Sequence, residues 1–124
     1  MNKYILMTND DLYIELTDMC INKKPFDDTI EDVFTSKKIV PNIENGILLY
    51  FSAAYGNLKM IKLLKKYGAD FSINEYESLR ISAQNGHLDC VKFILNEFPN
   101  IDLEQFKNHV CYKTCVSNSR LIYC

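Results

Sequence analysis

The chain has 124 residues, 48% of them hydrophobic and 24% charged, which suits one domain or one short stack of repeating units and is too apolar for a disordered chain. Its 14 basic and 16 acidic residues are interspersed and sum to a formal charge of -2, so it lacks the basic field that a phosphate backbone demands. Nucleic acid is therefore not the expected partner.

The amino terminus, MNKYILMTNDD, turns acidic after a short apolar stretch and falls short of the ~7–15 apolar residues of a signal peptide. The longest nearly apolar run, Ile47 to Tyr55, is about half the ~20 residues of a membrane-spanning helix. Cys20, Cys90, Cys111, Cys115 and Cys124 make an odd count at irregular spacing, which favours free thiols in a reducing compartment. An intracellular protein of cytoplasm or nucleus, with no membrane span, is the expectation.

In chain order, Asn9 or Asp10 can cap a first helix with Leu12, Tyr13, Leu16, Met19 and Cys20 at helical spacing. After Lys23-Lys24-Pro25 a second helix is predicted from about Asp27, with Ile30, Val33 and Phe34 on its apolar side. The acids Asp27, Asp28, Glu31 and Asp32 suit the positive end of its dipole. Residues 1–44 thus form a helix pair, either a degenerate repeat that leads the array or an unrelated helical cap.

Residues 47–64, ILLYFSAAYGNLKMIKLL, and 77–94, ESLRISAQNGHLDCVKFI, agree at an offset of 30. Leu49, Ser52, Ala53, Gly56, Leu58 and Lys62 meet Leu79, Ser82, Ala83, Gly86, Leu88 and Lys92. A self-similar period of this length marks a stacked architecture in which each unit buries a face on its neighbour. Each unit reads as two helices joined at a glycine, Gly56 or Gly86, free to take the positive φ of a tight turn. The small residues before each turn let the two antiparallel helices approach.

His87 and Cys90 in SAQNGHLDCVKF could suggest a nucleophile and its base, or two metal ligands. The first unit has Asn57 and Met60 at those places, so the architecture requires neither imidazole nor thiol. A structural role is expected for both: a polar side chain serving backbone N–H groups at a helix start, and a side chain in a buried seam.

The pattern Ala83, Gly86-His87-Leu88, Asp89, Val91 and Lys92 resembles the ankyrin repeat. So does Ala53, Gly56, Leu58, Lys62, Leu64 and Gly68-Ala69-Asp70. The resemblance covers about residues 45–102 and implies an all-α fold, a short ankyrin-type solenoid of stacked helix-turn-helix repeats with helical caps. Its units would be 45–74 and 75–102, the latter ending where Pro99 forbids helix continuation. The family's Thr-Pro-Leu-His opening is missing, replaced by Ile47-Leu48-Leu49-Tyr50 and Glu77-Ser78-Leu79-Arg80, and the period is short of the usual ~33. Both departures, with an abundance of Asn, Ile, Lys and Tyr that resembles the output of an AT-rich genome, resemble the divergent ankyrin proteins of giant DNA viruses. The loop from Phe71 to Tyr76 should be stubby.

Downstream, a helix is predicted over Leu103 to Val116 with Phe106 and Val110 buried, a turn at Ser117-Asn118-Ser119, and a further helix start at Leu121-Ile122-Tyr123. Residues 103–124 would then be a truncated third repeat or cap. His109, Cys111, Cys115 and Cys124 form the one cluster that suggests zinc or redox chemistry, though Cys111 and Cys115 share a helical face and lack paired Cys-x2–4-Cys knuckles. No phosphate loop, dinucleotide fingerprint or His-Glu-x-x-His motif is present.

The resemblance implies a non-catalytic protein-binding module, without cofactor or metal, acting as a monomer on a protein partner, a host protein if the chain is viral. By position in the repeat, the partner surface falls on Ala54, Tyr55, Asn74, Glu75, Tyr76, Gln84 and Asn85, with Tyr55 and Tyr76 as anchors by residue type. The alternatives are a small zinc or redox protein using the carboxy-terminal cluster, and a decayed fragment of a longer repeat protein.

Overall fold

A computed structural model describes residues 2–118. Among the described residues the chain is helical, with no strand. The helices are α1 (Lys3–Leu6), α2 (Asn9–Asn22), α3 (Glu31–Thr35), α4 (Ile43–Ala54), α5 (Leu58–Lys66), α6 (Ile73–Gln84), α7 (Leu88–Glu97) and α8 (Tyr112–Ser117). Short 3-10 turns at Asp28–Ile30 and Leu103–Phe106 complete them.

Helix α2 starts one residue before the predicted caps: Thr8 is its N-cap, and the hydroxyl accepts the Asp11 amide at 3.1 Å. Asp10 and Asp11 then sit in the first turn, where negative charge is favourable. Leu12, Leu16, Met19 and Cys20 form one buried stripe. Lys23 ends the helix in the left-handed conformation, and Pro25 keeps it from resuming. Asp27 caps the following 3-10 turn by accepting the Thr29 amide at 3.0 Å, and Ile30, Val33 and Phe34 turn inward.

The two self-similar units form the helix pairs α4/α5 and α6/α7. Gly56 and Gly86 take φ of +72° and +78° at the turns, as the sequence predicts. Ser52, Ala53, Ser82 and Ala83 are buried where the helices approach. The first helices of successive pairs, α2, α4 and α6, lie side by side, and α5 and α7 stack behind them. One continuous core runs through the stack, with Leu16, Leu49 and Leu79 in the first helices and Met60, Ile61, Leu64, Val91 and Ile94 in the second. On the α3–α5 side, Glu31 accepts both Lys66 Nζ and the Tyr67 hydroxyl at 2.6 Å, and these donors lower its pKa.

In the segment from Phe71 to Tyr76, Phe71 is buried. The segment ends in three consecutive left-handed residues, Asn74, Glu75 and Tyr76, with φ of +53°, +57° and +57°. Glu44, Asn45 and Gly46 repeat the device before the first unit, with φ of +51°, +55° and +81°. The right-handed course of each helix therefore begins only at Ile47 and at Glu77, because the left-handed residues reverse the sense of the coil.

Two expectations for the carboxy-terminal segment are corrected. The predicted helix over Leu103 to Val116 is broken into a 3-10 turn and α8, and Val110 is 74% exposed although Phe106 is 3%. The cause is local: His109 Nδ1 accepts the Cys111 amide at 3.1 Å, diverting an N–H that a continuing helix would send to the Lys107 carbonyl. Ser117 belongs to α8 and Asn118 closes it; Ser119, Leu121, Ile122, Tyr123 and Cys124 lie outside the described residues.

Candidate partner-binding surface

The predicted surface residues fall into two groups, one at each end of α6. At the first, the carboxy-terminal carbonyl of α4, on Ala54, would lack an intrahelical donor. Two side chains from the next unit converge on it: Asn85 Nδ2 at 2.9 Å and His87 Nε2 at 3.0 Å. A carbonyl accepts only, so the imidazole carries its proton on Nε2. Its Nδ1 side lies against Gly56, where an added Cβ would come within 2.5 Å.

Around this junction Tyr55 is 46% exposed, its ring 6.5 Å from that of Phe51, which is in turn 5.5 Å from Tyr50. Gln84 and Asn85 are exposed and Ala54 is half-buried. The Asn85 amide is already committed to holding the two units together, a role its position in the repeat does not announce.

The second group is the left-handed turn, with Asn74 and Glu75 exposed and Tyr76 half-buried. Sequence reasoning missed its organiser, Arg80. The guanidinium donates from Nη2 to the Asn74 carbonyl at 2.6 Å and from Nε to the Glu75 carbonyl at 3.1 Å, and Nη1 lies 3.5 Å from His109 Nε2. A planar fork suits two adjacent carbonyls in a way that an ammonium does not. The available signal is that the chain has only Arg80 and Arg120 as arginines, and that Arg80 replaces Tyr50 of the first unit. The two groups are separated by the right-handed part of α6, roughly 10 Å at 1.5 Å per residue.

His87 does not serve the N–H groups of α7 as expected: it makes no side-chain cap, whereas Asn57 does cap α5, accepting the Met60 amide at 3.1 Å. Asn57 also donates to the Met19 carbonyl of α2 at 3.0 Å, so both residues reach back to the preceding first helix. Cys90 is fully buried, and burial together with the Asp89 charge pushes its thiol up to about 12. His87 and Cys90 therefore lack the arrangement of a base and an activated nucleophile.

In the carboxy-terminal cluster, Cys111 and Cys115 are buried, and desolvation followed by the neighbouring Cys111 pushes Cys115 up to about 12. The two His109 nitrogens face Cys111 N–H and Arg80. Among the described residues, no three or more His, Cys, Asp or Glu side chains are grouped to hold a metal ion. Cys124 lies outside them. No helix among them is long and apolar enough to cross a membrane.

The family model described as Ankyrin repeats (3 copies) matches residues 19–106, more than half of the chain. The chain belongs to the ankyrin-repeat family. The match starts inside α2, upstream of the two self-similar units, and ends within the turn at Leu103–Phe106. Notch-regulated ankyrin repeat-containing protein from Xenopus tropicalis and from Xenopus laevis is each 35% identical over 57 residues, 44% of this chain and 50% of the relative. The chain thus spans about half the length of these curated relatives. No solved structure matches it. Ankyrin repeats are protein-protein interaction modules and generally non-enzymatic, and the all-helical architecture agrees with that family.

Proposed function

We propose that this ankyrin-repeat chain is a non-catalytic module that holds a protein partner along the exposed ends of its first helices. The observation that carries the reading is the convergence of Asn85 and His87 on Ala54 O. It fixes two successive repeats relative to each other while Tyr55, Gln84 and Asn85 stay open to solvent. A rigid aromatic anchor beside the adaptable Gln84 amide suits a binding surface. Asn74, Glu75 and Tyr76, held by Arg80, would form its second edge.

In this reading residues 1–44 supply the leading helix pair, 45–74 and 75–102 are full repeats, and 103–124 close the stack. The protein acts as a monomer inside the cell without a cofactor. The short period and AT-rich residue usage support a viral origin, with host proteins as targets.

The test is affinity capture from cells with the wild-type chain and with Tyr55→Ala/Tyr76→Ala, followed by comparison of the captured proteins. The double variant should lose specific partners while still unfolding in one cooperative thermal transition, a check that Tyr76's packing against the core requires. Unchanged capture would place the interface elsewhere.

A further inference from the structure

The second helices carry a feature that the proposed surface leaves unused. Lys59, Lys62, Lys65 and Lys66 all lie on α5, which has no acidic residue. Three of them are occupied: Lys59 donates to the Phe26 carbonyl at 2.8 Å, Lys65 lies 3.7 Å from Glu97 and Lys66 2.6 Å from Glu31. Among the described residues, Lys62 has the Phe93 ring 5.7 Å away and no ion-pair partner, and Lys92, its counterpart at the offset of 30, has no ion-pair partner either.

Both of these lysines line a groove of about 560 Å³ running over α5 and α7, with Leu58, Phe93 and Leu95 as its apolar surface. Asp89 is the one acid in the lining, and its Oδ1 accepts the Cys90 amide at 2.8 Å. Two exposed cations therefore stand against one carboxylate beside a half-apolar concavity of the size that small binding sites have.

We propose that this groove binds an acidic peptide segment, extended, with two carboxylate side chains four residues apart and an apolar residue midway between them. Stacked helices lie roughly 8–10 Å apart, which sets the scale of the Lys62–Lys92 separation. Alternate residues of an extended chain share a face and four residues cover about 13 Å, a span that two flexible lysine side chains on neighbouring helices can bridge. The midway residue lies on the same face as the two acids, within reach of Leu58 and Phe93. The concavity distinguishes this occupant from an anionic membrane surface, which the same lysines could attract but which is flat. The site is separate from the Tyr55 and Tyr76 surface, and its test does not depend on that one.

The experiment is fluorescence anisotropy of the full chain with a fluorescein-labelled peptide carrying Asp-Gly-Leu-Gly-Asp, at low salt and at physiological salt. Binding should weaken at least tenfold in Lys62→Glu/Lys92→Glu and fall with added salt. A peptide with Lys-Gly-Leu-Gly-Lys should bind that variant and not the wild type. Circular dichroism establishes that the variant is folded, and the single variants Lys62→Gln and Lys92→Gln give intermediate losses. Equal binding by wild type and reversed variant, or no binding at millimolar peptide, overturns the proposal. So does lysine-dependent association with phosphatidylserine vesicles without peptide binding. Binding seen only in a Leu121→Asp/Ile122→Asp chain would assign the groove to the protein's own carboxy terminus, and would overturn it too.

Discussion

His87 Nε2 and the carbonyl oxygen of Ala54 lie 3.0 Å apart, so an imidazole at the start of one repeat's second helix secures the end of the first helix in the repeat before it. The other face of the ring rests on Gly56, whose φ is +72° and where a Cβ would meet Nδ1 at 2.5 Å. Two costs therefore attach to Gly56→Ala: a left-handed residue with a side chain, about 1–2 kcal/mol, and the displacement of His87. His87→Ala should cost only ~1 kcal/mol, since Asn85 still donates to Ala54. In the His87→Ala background the clash disappears and Gly56→Ala should cost the backbone part alone. A double-mutant cycle by urea denaturation is expected to show a coupling of about 1 kcal/mol or more; additive costs would mean that the ring moves aside freely.

The core of the stack is legible in the sequence because burial follows spacing. Leu49 and Leu79, Ala53 and Ala83, and Ile61 and Val91 recur at one offset and all are buried. The positive φ at Gly56 and Gly86 is legible for the same reason, as one glycine answers the other. What is illegible comes from side chains that act on the backbone out of register. The Asn74-Glu75-Tyr76 turn is left-handed without a single glycine, held by an arginine that follows it, and only Asn74 has a residue preference that points that way. Val110 has an apolar side chain at a suitable helical position, but the His109 ring takes an amide the helix needed. Of the candidate surface, the exposure of Tyr55, Gln84 and Asn85 follows from the repeat, whereas the use of Asn85 as a clamp requires the neighbouring unit to be seen.

Arg80 should be irreplaceable by lysine. Its two donations to adjacent carbonyls counter the cost of three left-handed residues, each about 1–2 kcal/mol. Arg80→Lys keeps the charge but loses the fork, so a destabilisation of about 1–2 kcal/mol is expected, close to that of Arg80→Ala. Glu75→Gly, which relieves the backbone at φ +57°, should recover part of the loss in the Arg80→Lys background. Chemical denaturation of the four chains checks this. A lysine variant as stable as the wild type would show that the turn stands without the clamp.

A chain ending at Asp102 should lose cooperative folding. It would lack Phe106, Cys111 and Cys115, all buried in the shared core, and would uncover the side of α6 that α8 packs against. Burial of a side chain the size of Phe106 is worth about 1.5–3 kcal/mol, a large share of what a small domain has to spare. Calorimetry and near-ultraviolet circular dichroism should report a broad transition and weak aromatic signals for the shortened chain. A sharp transition for it would show that α2 to α7 form a self-sufficient stack.

The buried thiols make a prediction at alkaline pH. Desolvation raises Cys20 to about 11, and Cys90 and Cys115 to about 12, from an ordinary value of 9.0. Between those limits the unfolded chain releases thiol protons that the folded chain keeps, so fewer protons are bound on unfolding and the slope of stability against pH is negative. The contribution of these groups is complete below about pH 9 and is lost as pH rises toward the folded values. Urea melts at pH 8 and pH 10.5 should show lower stability at the higher pH. Lysines and tyrosines also titrate in that range, so Cys90→Ala supplies the control: its stability should fall less steeply than that of the wild type. The same burial predicts that Cys20, Cys90, Cys111 and Cys115 react with a thiol reagent at pH 8 only as fast as the structure opens. Prompt modification of Cys90 in the native chain, located by mass spectrometry, would contradict its place in the core and reopen the reactive reading of SAQNGHLDCVKF.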